Sequence, residues 1–195
     1  MEIIVIDDNL DEDAPIIVEL GILYDDQNIK LFSRSNDGLD YIKKNLYKKL
    51  IVILDINFPA DEKNGHEVLE EIRKYDKLIP VIIWSAMDGS TDNFTDFINN
   101  HALFYVNQTE EYAVIIDKVK EAEHRLNLDV ATAIENWLYK QDNKDKTIMI
   151  SGDNESYSAN DLINEIRMQT EKGRKLEENI LKLTISLLFR GKEKI

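Results

Sequence analysis

Two adjacent carboxylates, Asp7 and Asp8, end the short apolar run Ile3-Ile4-Val5-Ile6. A third, Asp55, ends Ile51-Val52-Ile53-Leu54, and a hydroxyl, Ser85, ends Val81-Ile82-Ile83-Trp84. Carboxylates brought together repel one another unless a cation offsets them. A hard divalent ion with oxygen ligands is the natural neutraliser, and Mg2+ is the commonest such ion. The competing reading is a set of solvated loop acids, which a chain this acidic supplies readily. A pair after one apolar run and a single Asp after another is the less common arrangement by chance.

The elements that carry these residues alternate between two periods. Apolar runs occur at Ile3–Ile6, Ile29–Phe32, Ile51–Leu54, Val81–Trp84 and Ala102–Val106, the second being the weakest. Continuous β-branched runs suit strands buried on both faces, as in parallel sheets covered by helices. Between them, helical spacing appears at Ile16, Leu20 and Leu23, at Leu39, Ile42 and Leu46, at Val68, Leu69 and Ile72, and at Phe94, Phe97 and Ile98. Pro15 is tolerated near the start of the first helix. The alternation through residue 126 predicts a five-stranded doubly wound α/β domain. Loops at the carboxyl ends of such strands converge on one edge, which would bring Asp7, Asp8, Asp55 and Ser85 together.

Composition narrows the function. A length of 195 residues allows one or two domains, and 43% hydrophobic residues suffice for a packed core. Zero cysteines exclude a disulfide framework, a thiolate metal site and a Cys nucleophile. The 38 acidic against 24 basic residues give a net charge of −14, which argues against nucleic acid as a partner. The whole excess lies before residue 130, where 27 acids face 13 bases; the remainder carries 11 of each. No apolar run approaches the ~20 residues that span a bilayer, and the start lacks a basic segment and a cleavage site, so the expectation is a cytoplasmic protein with no membrane partner.

Residues 1 to about 126 resemble the receiver domain of two-component response regulators. The matching motifs are Ile4-Val5-Ile6-Asp7-Asp8-Asn9, Leu54-Asp55-Ile56-Asn57-Phe58-Pro59 with Gly65, Val81-Ile82-Ile83-Trp84-Ser85-Ala86, and Ala102 through Tyr105-Val106. The resemblance implies a flavodoxin-like sheet of strand order 2-1-3-4-5. It implies that Asp55 is the phospho-acceptor, forming an acyl phosphate from a histidine kinase or phosphotransfer protein. It implies Mg2+ held by Asp8 directly, by Asp7 largely through water, by Asp55, and by the backbone carbonyl of Asn57, with no organic cofactor. Ser85 would bond the phosphoryl group and Tyr105 would be the aromatic switch that follows it. The expected activity is signalling rather than enzymatic, with at most self-phosphorylation and autodephosphorylation at Asp55.

Two departures stand out. The family has Lys at the end of the fifth strand, where this chain reads Asn107-Gln108-Thr109. Gln108 falls on the Lys position, and a one-residue shift would give Asn107 instead. Either replaces a charge-assisted contact by a neutral one of roughly half the strength. The stretch from Asp55 to Gly65 is also about two residues longer than usual, with Ala60-Asp61-Glu62-Lys63-Asn64 following Pro59. A haloacid-dehalogenase-like phosphatase would need a second Asp where Asn57 stands. The chain has no P-loop sequence, and His66, His101 and His124 lack zinc spacing.

Beyond the receiver-like part, Tyr112, Val119, Leu126 and Ala133 recur every seven residues, and so do Ile116, Glu123, Val130 and Trp137. One continuous helix over 110–140 fits, since Gly and Pro are missing there. A break near Asn127–Asp129 with Asp129 as N-cap also fits. Residues 127–140 read as a helical linker, and a homodimer seam over 112–137 is a further reading. Residues 141–195 read as a small α+β module that binds a protein partner. It would comprise a strand at Thr147–Ile150, a turn at Ser151–Glu155, a returning strand from Ser156, a helix capped by Ser158 and Asp161 and stopped by Gly173, and a last helix on Leu176, Ile180, Leu183 and Leu187 closed by Gly191. The functional expectation is a response regulator that takes phosphate on Asp55 and signals through this module. The alternative is a receiver-fold scaffold that works without phosphorylation, motivated by the missing Lys.

Overall fold

The computed structural model describes residues 1–86, 97–150 and 155–192. The chain divides into two compact units, Met1–Leu126 and Asn127–Ile195.

In the first unit five strands form one parallel sheet: β1 (Glu2–Ile6), β2 (Ile29–Phe32), β3 (Leu50–Leu54), β4 (Val81–Ser85) and β5 (Phe104–Asn107), in the order β2-β1-β3-β4-β5. β1 lies against β3 with Ile6 opposite Leu54, so the two chains leave the sheet side by side into Asp7 and Asp55. Alternate side chains enter opposite layers, as the two-residue period of a strand requires. Ile4, Ile6, Val52, Leu54, Val81 and Ile83 pack beneath α2 (Ser35–Lys44) and α3 (Gly65–Tyr75). Ile3, Val5, Ile51, Ile53, Ile82 and Trp84 pack beneath α1 (Pro15–Tyr24) and α4 (Tyr112–Leu128). Burial on both faces is why these strands are near-continuous Ile, Val and Leu. The helix expected on Phe94, Phe97 and Ile98 falls partly outside the described residues, Phe94 included; Phe97 is buried in the first layer.

The stretch over 110–140 is two helices, α4 and α5 (Val130–Tyr139), and the continuous reading is corrected. Asp129 between them is extended, with φ −75° and ψ 127°, and its carboxylate accepts the Thr132 N–H at 2.8 Å. A side-chain acceptor at the N-cap competes with helix continuation, so an Asp breaks the run without Gly or Pro. The seven-residue series is likewise not a free seam. Ile116 and Val119 are fully buried in the second layer against the sheet. Ile116 and Val119 are therefore not seam residues, whereas Tyr112 and Trp137 of the same series are exposed.

In the second unit β6 (Thr147–Ile150) pairs antiparallel with β7 (Ser156–Ser158); the turn expected at Ser151–Asn154 lies outside the described residues. α6 (Ala159–Arg167) opens with a reciprocal capping box, the Ser158 Oγ accepting from Asp161 N and the Asp161 carboxylate accepting from Ser158 N. The buried Arg167 ties α6 to α5, donating to Glu135 Oε1 at 2.5 Å and to the Tyr139 hydroxyl. α7 spans Glu171–Lys192. Gly173 does not stop α6, which ends at Arg167, before Gln169 at φ 48°. Gly173 lies in the first turn of α7, where a Cβ would sit 2.2 Å from the Glu165 carbonyl oxygen. It is a close-approach glycine that lets the two helices meet. Gly191 does not close α7 either, because a single glycine costs a helix only about 1 kcal/mol.

Val119→Asp should place an uncompensated charge beneath the sheet and lower stability by roughly 3–5 kcal/mol. Urea unfolding followed by fluorescence, with molar mass by light scattering, checks this. An unchanged midpoint with a halved mass would restore the seam.

Candidate functional site

The carboxyl edge of the sheet gathers the acids. One carboxylate oxygen from each of Asp7, Asp8 and Asp55 lies within 4.8 Å of the others. Asp7 and Asp55 are buried, at 1% and 4% exposure. Each is held by local N–H groups. Asp7 Oδ1 accepts from Asn9 N at 2.8 Å, and the Asn9 amide donates to Asp8 Oδ1 at 2.8 Å. Asp55 Oδ1 accepts from Ile56 N at 2.7 Å. The Asn57 N–H and the Ser85 hydroxyl also donate to Asp55. Ser85 is fully buried and accepts from the Asn57 side chain at 3.4 Å.

The end of β5 decides between Asn107 and Gln108. The Asn107 side chain is used in a turn, accepting from Thr109 N at 2.9 Å and Thr109 Oγ1 at 2.8 Å. Gln108 reaches the acids, donating from Nε2 to Asp7 Oδ2 at 3.0 Å and to the Trp84 carbonyl at 3.2 Å. An amide thus stands against the acids at the end of β5. Tyr105 sits one strand over from the pocket floor, its hydroxyl donating to the Ser85 carbonyl at 3.3 Å.

The electrostatics follow from this crowding. Burial pushes the Asp7 carboxyl up to about 6, the charges of Asp55 and Asp8 add to the push, and the bonds from Asn9 and Gln108 oppose it. Burial also raises Asp55, against its bonds from Ser85, Ile56 and Asn57, with Asp8 adding to the rise. Such a set suits a hard divalent cation, whose charge would reverse both shifts.

The structure also shows supports that the motifs left without a role. Gly65 abuts β3 so closely that a Cβ would lie 2.3 Å from the Asp55 carbonyl oxygen and 2.7 Å from Ile56 Cα. Its N–H donates to the Ile56 carbonyl at 2.9 Å, fixing the turn beyond Asp55. The long loop before it carries Glu62, whose carboxylate accepts from Asn36 N at 3.0 Å, Ser35 Oγ at 3.1 Å and Arg34 Nε at 2.6 Å. The N-cap residue of α2, Arg34, makes no side-chain cap of its own, so Glu62 serves from a distance. Those bonds, the Asn36 N–H foremost, hold Glu62 below the usual carboxylate range. A lone Glu in a polar loop gives no sequence signal for such a partner. Asn9 does: an Asx residue just past a strand is a turn former.

No protein-family model matches the chain. Over 120 residues it is 27% identical to the uncharacterized transcriptional regulatory protein YkoG of Bacillus subtilis (strain 168), a match covering 62% of this chain and 50% of that protein. The chain thus accounts for about half the length of that curated relative. A CheY-like response regulator receiver domain protein from Methanospirillum hungatei JF-1 superimposes with a TM-score of 0.53 at 20% identity, over 66% of this chain and 98% of that one. A response regulator receiver domain protein from Clostridium thermocellum gives 0.51 at 25% identity, over 65% and 97%.

The first unit has the receiver fold of response regulators. The matches reach about two thirds of this chain, and the receiver unit's sheet order is the one the motifs implied.

Asp7 binds its proton near pH 6 in the folded receiver and near 3.8 when unfolded. The folded state is therefore penalised as pH rises through that interval, and the penalty is complete above it. Without divalent ions, Asp7→Asn should raise stability at pH 7 by at most about 3 kcal/mol, at ~1.4 kcal/mol per unit, and change it little at pH 4. Denaturant melts at the two pH values check this; equal midpoints for mutant and wild type at pH 7 would contradict it.

Proposed function

We propose that the receiver unit accepts a phosphoryl group on Asp55, with Mg2+, from a histidine kinase or phosphotransfer protein. The Asn127–Ile195 unit then acts as the protein-interaction module that passes the signal on. The observation that carries this reading is the meeting of the Asp7, Asp8 and Asp55 carboxylates with the Ser85 hydroxyl at one sheet edge. Among the described residues no helix is long and apolar enough to cross a membrane, and we place the activity in the cytoplasm.

Asp7, Asp8, Asp55 and the backbone carbonyl of Asn57 would hold Mg2+, which supplies positive charge against the phosphoryl oxygens when bound. The chain's own residues do the rest. A carboxylate oxygen of Asp55 forms the new O–P bond as the donor's P–N bond breaks, and the bonding pair leaves on the donor nitrogen. The Ile56 and Asn57 N–H groups hold the nucleophile in one orientation and limit its search for an attack geometry. Ser85 turns its hydroxyl from the carboxylate to a phosphoryl oxygen. Gln108 leaves Asp7 and donates an amide hydrogen bond to the same group, a weaker contact than an ammonium would make. Tyr105, bonded to the Ser85 carbonyl, follows any movement of that strand end.

Incubation of the full chain with phosphoramidate and Mg2+, followed by intact mass spectrometry, should add one phosphoryl group. No addition, or an addition that survives Asp55→Ala, would sink the proposal. Gln108→Lys should restore a cation beside Asp7. The expected result is a higher unfolding midpoint without Mg2+ and a smaller gain from adding it, read by thermal melts with and without the ion.

A further inference from the structure

α7 is 22 residues long, about 33 Å at ~1.5 Å per residue, whereas α6, against which it packs, has 9 residues and reaches about 13 Å. The first turns of α7 are covered, with Gly173 buried and Leu176 and Ile180 half-buried. Beyond Ile180 the cover ends. Leu181, Leu183, Ile185, Leu187, Leu188 and Phe189 stand 45–67% exposed. At ~3.6 residues per turn, Ile180, Leu183 and Leu187 form one stripe and Leu181, Ile185 and Leu188 form another roughly 130° around the helix. A helix apolar on two faces is one that becomes buried on two sides.

The same unit carries an open groove of about 720 Å³, walled by Met149 and Ile150 of β6 on one side and by Leu162 and Leu176 on the other. Ile150 is 66% exposed on that wall. Glu165 and Glu171 contribute carboxylates to the lining. Lys175 and Lys172 line it too, the latter occupied by Glu155 at 2.5 Å and the Tyr157 hydroxyl at 2.8 Å.

We propose that residues 180–190 of α7 seat in the β6–α7 groove of a second copy of this chain, and that the exchange is reciprocal. A groove with two apolar walls buries both stripes of the inserted helix at once. α7 is one continuous helix, so this segment cannot fold back into the groove beside its own first half. Charge permits the exchange. The groove's Glu165 and Glu171 are offset by Lys172 and Lys175, the segment's Lys182 is paired with Glu178 at 2.5 Å, and residues 130–195 carry 11 acids and 11 bases, so charge does not oppose the contact. Area fits as well. The six exposed side chains amount to roughly 600 Å² per copy, above what an ordinary monomer leaves in one patch. Counted for both copies with the groove walls, they pass the ~1,200 Å² that a stable interface needs. Reciprocal contacts of this kind close into a two-fold dimer rather than a filament.

The test uses the full chain, which has no native cysteine. An Ile150→Cys chain is mixed with a Leu188→Cys chain and treated with a short bismaleimide. A cross-linked dimer joining residue 150 of one chain to residue 188 of the other is expected. Light scattering should give twice the chain mass for the wild type and half that value for the Leu187→Glu/Leu188→Glu variant. Because both leucines are exposed in the single chain, circular dichroism should stay unchanged, and the unfolding midpoint should fall to the value that the wild type approaches on dilution. A monomeric wild type overturns the proposal. So does a dimer that survives the double Glu substitution, or a failure of the mixed cysteine chains to cross-link. Sedimentation of a monomeric wild type with phosphatidylglycerol vesicles, lost in the Glu variant, would also overturn it by assigning the helix to a membrane surface.

Discussion

Three carboxylates converge on one sheet edge with no protein cation among them in the described residues, and the receiver unit is arranged around that constraint. The order β2-β1-β3-β4-β5 makes β1 and β3 neighbours, so their carboxyl ends deliver Asp7, Asp8 and Asp55 to one place. Two unit charges within 4.8 Å repel by roughly 3–4 kcal/mol at an effective dielectric of ~20. The hydrogen bond from the Gln108 amide to the ionised carboxylate returns roughly 1.5–3 kcal/mol. The amide therefore does not balance the pair. The raised Asp7 carboxyl reflects burial and this repulsion, and a divalent ion would relieve it. A lysine in that place would have reduced the repulsion left for the ion to relieve. A divalent ion would therefore stabilise this unit more than it would one with Lys in that place.

The surrounding residues matter because they prevent the pocket from relaxing apart. Gly65 allows α3 to start directly against the Asp55 carbonyl, and a larger residue would push that turn off the strand end. The longer loop before Gly65 does not hang free. Glu62 is bound at the start of α2, which has no cap of its own, so the extra residues join the wall of the pocket to a neighbouring helix. Loop length and helix capping are one feature here.

What the sequence made legible was governed by burial. β1, β3 and β4 are covered on both faces and read as unbroken apolar runs. The edge strands β2 and β5 have one neighbour each, are only partly buried, and read weakly or one residue out of place. The acid trio was legible because strand ends fix position. The choice between Asn107 and Gln108 was not, because it turns on which amide the Thr109 turn consumes. The break at Asp129 was ambiguous for a similar reason: an Asp can sit in a helix or cap one, and only the Thr132 N–H it captures decides. Gly173 misled because glycine marks a helix end and a close helix contact with the same letter.

Periodicity states that a helix has an apolar face and is silent on what covers it. α4 and α7 show the two outcomes. Ile116 and Val119 of α4 are covered by the sheet beneath them, so the seven-residue series there is core. Leu183 and Leu187 of α7 continue the same kind of series past the end of α6, where this unit offers nothing more to bury them. The charge divides in parallel. The first unit carries 26 acids against 13 bases, while the second carries 12 against 11. A unit at −13 resists self-contact, and one at −1 with an uncovered apolar helix favours it. Association is therefore expected through the second unit rather than through the acidic first one.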